Sequence, residues 1–174
     1  MQTSYRSSAR ILLPVRPWFI ACSLAAALLL NLLPTAPWPG LPDWLALVLI
    51  FWSVREPRRV GMGLAFLCGI AMDVADAGLL GQHALAYVLA VYGGGSLSRR
   101  ILWFPLAQQA LHVLPLLLLV PLVQIAVRTV AGGEFPGIGY LLGPLLATVL
   151  WPVLTFVLLL PQHQSVDHDA NRPL

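Results

Sequence analysis

Six long apolar stretches follow one another along this chain with little between them. They run approximately over 17–33, 41–54, 60–76, 81–97, 102–127 and 140–160. A helix needs roughly 20 mostly apolar residues to cross the hydrocarbon layer, and inside a bilayer it must satisfy its own backbone hydrogen bonds. With 59% hydrophobic and 10% charged residues over 174 positions, the chain has more apolar surface than a soluble core of that size can hide. The pattern predicts an all-α membrane protein of about six transmembrane helices. A cytoplasmic segment over 1–16 leads into a transmembrane domain over 17–161, and a short polar cytoplasmic tail follows over 162–174. A count of five stays open, because the second stretch is short enough to lie partly in the interface. The fifth is long, and Pro105, Pro115 and Pro121 are expected to kink it.

Arginine sets the orientation. With the N-terminus in the cytoplasm, Arg6, Arg10, Arg16, Arg55, Arg58, Arg59, Arg99, Arg100 and Arg172 fall inside and Arg128 alone outside. That bias satisfies the positive-inside rule and puts both termini in the cytoplasm. The net charge of +3 therefore describes topology. Nucleic-acid binding asks for a basic face on one folded module, and these arginines are split among short loops. The first stretch has the basic start of a signal peptide, but its apolar part runs to Leu33 without a small-residue cleavage site, so it reads as an uncleaved helix. Cys22 and Cys68 lack metal-ligand spacing and read as buried, inert thiols. In the external segment LPTAPWPGLPD, Trp38 and Trp44 suit the headgroup level, and Asp43 suits the first turn of the second helix, where a carboxylate complements the dipole.

Chemistry concentrates in CGIAMDVADAGLLGQHALAY, residues 68–87. Between Val60 and Leu97, Asp73, Asp76 and His83 are the only ionisable side chains besides two tyrosines and a cysteine. Asp73 lies roughly 20 Å up its helix. A carboxylate at the bilayer centre costs on the order of 2.5–3.5 kcal/mol, and the C-terminal end of a helix disfavours negative charge. Asp73 is thus either a structural ion pair or a functional contact, with Arg128 as the expected partner. Asp76 reads as an interfacial turn residue and His83 as a helix-start residue at the headgroups. Gln108, Gln109, His112 and Gln124 read as hydrogen-bond glue between helices, and Gly61, Gly63, Gly69, Gly93, Gly94 and Gly95 as points of close approach. There is no nucleophile elbow, phosphate loop or metal-ligand cluster, so neither an enzyme nor a metal or cofactor site is expected.

Several segments in order resemble the rod shape-determining MreD family. SYRS precedes the first helix, PDWLALVLIFWSVREPRRVGMGLAF spans the second and its turn, and GIAMDVADAGLLGQHALAY follows. QQAL opens the fifth helix, and VLWPVLTFVLL lies in the last. The family pattern falls on Pro42, Trp52, Pro57, Gly61, Gly69, Asp73, Gly78, Gly81 and Leu85. The resemblance implies a non-catalytic inner-membrane subunit of bacterial cell-wall elongation. Its partner would be MreC and, through MreC, MreB, RodA and the penicillin-binding transpeptidase. It also implies the six-helix S-component fold of energy-coupling-factor transporters, with a pocket opening outward. Under that reading Asp73, Asp76, Arg128 and His83 contribute to a partner site or pocket. The tail after Pro161 lacks the basic cluster that often closes such proteins, and His83 is not part of the family pattern. A second reading, suggested by the S-component likeness, is a small-solute-binding transporter component. The few convergent polar groups argue against it.

Overall fold

The computed structural model describes residues 15–33, 40–135 and 137–162. The N-terminal SYRS motif, Arg6, Arg10, Arg172, Trp38 and nearly all of the polar tail lie outside the described residues. Each expected apolar stretch holds one helix: α1 Pro17–Asn31, α2 Trp44–Arg55, α3 Met62–Ala75, α4 Gln82–Leu102, α5 Leu106–Val130 and α6 Leu142–Leu159. A 3-10 turn, Ile138–Leu141, leads into α6. Proline opens α1 at its first turn, where a missing N–H costs nothing. Pro105 likewise caps α5 from outside, so Pro115 and Pro121, and not all three prolines, lie within that helix.

The second helix departs from the expected picture. Every residue from Leu45 to Val54 is buried, and α2 packs against α1, α4, α5 and α6. An interfacial helix would keep one face wet. This one is apolar all round because its neighbours enclose it. Trp52 is its anchor. Its Nε1 donates to Ser23 Oγ on α1 at 2.8 Å, and Phe19 and Phe51 meet its ring edge-on. Trp52→Phe keeps most of the ring packing and deletes the hydrogen bond, so a loss of about 1 kcal/mol is expected in thermal unfolding of the detergent-solubilised protein. An unchanged midpoint would show that this bond does not join α1 to the bundle.

The fourth helix continues through Gly93–Gly95 and beyond the expected end at Leu97, to Leu102. The glycines serve its packing: a Cβ at Gly93 would meet Leu116, and one at Gly94 would fall on Ser53 Oγ. Nothing lies near Gly61 or Gly63, so those two expected contacts are absent. The outer surface stays apolar, with Phe66, Leu67, Val149, Val153 and Phe156 exposed. On a water-soluble chain such a surface would be an aggregation hazard; against lipid it is at rest. The α5 helix and the 22-residue run Ile138–Leu159 are long and apolar enough to cross a membrane, and α1, α2 and α3 are shorter apolar helices. Cys22 is exposed on that surface and Cys68 is half-buried; both are free thiols, so the expectation of burial fails at Cys22.

Candidate functional site

The first N–H groups of a helix have no partner within it; in α4 Gln82 N–H returns to Leu79 O at 3.2 Å, but the N-cap is Gly81, which has no side chain to offer the rest and sits at φ 97°. Asp73, from the last turn of α3, supplies the missing cap. Its Oδ2 accepts from Gly81 N–H at 2.7 Å and, at 3.4 Å, from Ala84 N–H. Its Oδ1 accepts from His83 N–H at 2.8 Å. His83 Nδ1, 2.9 Å away, donates to the same oxygen, which leaves Nε2 turned toward Asp76, with Oδ2 at 3.5 Å. The carboxylate is 1% exposed. Its own helix disfavours it there, but the N-terminus of α4 is in direct contact and carries the opposite partial charge.

Two local features make this reach possible. The chain leaves α3 through a turn in which Gly78 N–H returns to Asp73 O at 3.2 Å and Ala77 N–H to Val74 O at 3.3 Å. Ala77 takes the left-handed conformation there, φ 48°, a position usually given to glycine. Gly69 then lets α3 and α4 touch backbone to backbone: a Cβ on it would fall on the Cα and N of Ala84 and lie 2.8 Å from the His83 carbonyl carbon.

A second carboxylate organises the same end of the bundle. Asp43 caps α2 by accepting from Ala46 N–H at 2.9 Å. The same Oδ1 accepts from Asn31 Nδ2 at 2.8 Å, and Oδ2 accepts from Tyr87 O–H at 2.7 Å. Asn31 Oδ1 in turn accepts from Trp44 N–H at 2.9 Å. Asp43 thus ties α1, α2 and α4 together. Beside it lies a cavity of about 270 Å³ whose polar lining is Asn31, Asp43, Asp76, His83, Gln124 and Tyr140, with Met72, Leu117 and Val120 among the apolar residues. Pro42 lines it too. Gln124 Oε1 accepts from Tyr140 O–H, while Gln124 Nε2 is buried without any partner among the described residues. An unmade buried hydrogen bond costs about 1–3 kcal/mol, so this donor in the cavity wall is left unsatisfied by the chain's described residues.

The expected site residues divide. Asp73, Asp76 and His83 come together. Arg128 does not join them and makes no ion pair among the described residues, so the expected Asp73–Arg128 pair is replaced by the cap on α4. His83 is at the helix start as expected, yet it is buried and bonded, not bathed by headgroups. Gly69, Asp73, Gly78 and Gly81 build the α3–α4 junction. Trp52 belongs to the core, Pro57 and Gly61 lie at the opposite end, and Leu85 is largely exposed on α4. Of the four polar residues expected to bridge helices, only Gln124 bonds to another helical element, the 3-10 turn at Tyr140. Gln109 binds Phe104 O just before that helix and His112 binds Gln108 O within it. Asn31, Asp43, Tyr87 and Tyr140 were not expected at the site. Asn31 and Asp43 carried the legible signal: polar residues at the very ends of apolar runs.

The lining holds an oriented histidine beside two carboxylates but no serine, threonine or cysteine, and no metal-binding group occurs among the described residues. What these features define is a helical membrane protein with a partly polar cavity at one end. More narrowly, the chain belongs to the rod shape-determining MreD family: the family model described as rod shape-determining protein MreD matches residues 10–160. It is 33% identical over 145 residues to the rod shape-determining protein MreD of Haemophilus influenzae, covering 78% of this chain and 85% of that relative. No solved structure matches it.

Proposed function

We propose that the protein acts in rod-shape determination as a non-catalytic scaffold of the wall-elongation machinery, and that its cavity receives a segment of MreC. RodA, the penicillin-binding transpeptidase and MreB would then be reached through that partner. The observation that carries the reading is the cavity of mixed polar and apolar lining, with the unpartnered Gln124 Nε2 buried in its wall. A polypeptide brings the carbonyl acceptor this donor lacks. Asp76, exposed at the same cavity, suits a donor or cation on the entering segment. The proposed arrangement has all six helices crossing the inner membrane as in an S-component, the cavity facing outward and both termini in the cytoplasm. The nine-to-one arginine distribution supports that orientation.

The test is affinity purification of the tagged chain from native membranes. Gln124→Leu preserves bulk and removes the donor, so MreC recovery is expected to fall roughly tenfold, the value of a lost buried hydrogen bond, and cells relying on the variant to round up. Equal MreC recovery from both proteins would remove the cavity from the interface. Recovery with an ATPase module and a small solute would favour a transporter component instead.

A further inference from the structure

The other end of the bundle carries the arginines. Arg55 closes α2, Arg58 and Arg59 occupy the turn into α3, and Arg99 and Arg100 lie in the last turn of α4. Among the described residues one carboxylate accompanies them, Glu56, and it is 3.8 Å from Arg59. Between the end of α4 and the start of α5 runs a groove of about 270 Å³ lined by Leu97, Arg100, Ile101, Leu111, His112 and Pro115. Arg100 is exposed and makes no ion pair among the described residues. His112 is held in place: its ring stacks on Phe104 with centroids 4.2 Å apart, and Nδ1 donates to Gln108 O at 2.8 Å. That leaves Nε2 without a partner among the described residues.

The groove is graded along the bundle. The α4 and α5 helices meet through a short turn, so their ends are level; at 1.5 Å per residue His112 sits roughly 6 Å deeper than Arg100. A cation at the rim and an apolar trough below it match the phosphate and the acyl chain of one lipid. No carboxylate lines the groove to repel the phosphate. We propose that this groove binds an anionic phospholipid of the phosphatidylglycerol type from the leaflet at the arginine-rich end. Basic recesses between transmembrane helices are a known physical solution for such headgroups. The site is separate from the polar cavity and does not depend on what that cavity receives.

The full-length protein, reconstituted in phosphatidylcholine nanodiscs with and without phosphatidylglycerol, would be extracted gently and its retained lipids identified by native mass spectrometry. The wild type is expected to keep phosphatidylglycerol in preference to phosphatidylcholine. Arg100→Gln is expected to reduce that retention roughly fivefold, the effect of one arginine near a charged headgroup, while Arg58→Gln on the same rim leaves it unchanged. Both side chains are exposed, so neither variant should alter the thermal midpoint. Equal retention by Arg100→Gln would overturn the proposal. So would an equal loss in Arg58→Gln, which would mean diffuse attraction to a basic rim with no site.

Discussion

Asp73→Ala is expected to destabilise the bundle by about 3–5 kcal/mol, the loss typical when one partner of a buried charged contact is removed. The size follows from what is left behind. Gly81, His83 and Ala84 would each have a backbone N–H pointing into the space the carboxylate filled, and the imidazole of His83 would lose its acceptor. Water does not readily replace an acceptor that is 1% exposed. Asp73→Asn should fall between, because an amide offers one accepting oxygen and turns its own N–H groups toward donors. Arg128→Ala supplies the contrast: the side chain is half-buried but makes no ion pair among the described residues, so the expected change is about 1 kcal/mol or less. Denaturant or thermal unfolding in one detergent would measure all three. If Arg128→Ala proved as damaging as Asp73→Ala, the charge would be held by the arginine and not by the helix start.

That contrast shows where the sequence is informative and where it is silent. The six helices are legible because apolar length is a direct physical requirement for a chain in lipid, and Asp43 is legible as a helix-start carboxylate because the cap and the helix are neighbours in sequence. Asp73 is legible as a cost but not as a solution. Charge pairing leads to Arg128, whereas three of the four donors to Asp73 are backbone N–H groups and the fourth is the His83 ring, and every residue type except proline carries the same N–H. The dipole argument has the same blind spot: the sequence shows only that Asp73 ends its own helix, and the opposing helix that reverses the sign enters with the fold. Gln124 is visible as a polar residue in an apolar run, yet only the structure shows that its oxygen is satisfied by Tyr140 while its nitrogen is not.

Glycines divide along the same line, and they give the second large effect. Gly69→Ala is expected to cost about 3 kcal/mol, the upper range for forcing atoms into a packed interior, because the new methyl would occupy the position of Ala84 backbone. Moving α4 away to make room would also pull Gly81, His83 and Ala84 off Asp73. Gly94→Ala meets a different obstacle, the hydroxyl of Ser53, and should cost about 1–2 kcal/mol on the same grounds. Double-mutant cycles separate the two cases. Ser53→Ala removes the clashing Oγ, leaves its Cβ 3.3 Å from the new methyl, and should recover most of the Gly94→Ala loss. Ala84→Gly removes a side chain that is not in the way, so Gly69→Ala should stay as damaged as before. Rescue by Ala84→Gly would mean that the helices are held apart by side chains and can slide; its failure, beside a successful rescue by Ser53→Ala, would mean that backbone contact at Gly69 sets the distance over which Asp73 reaches the next helix.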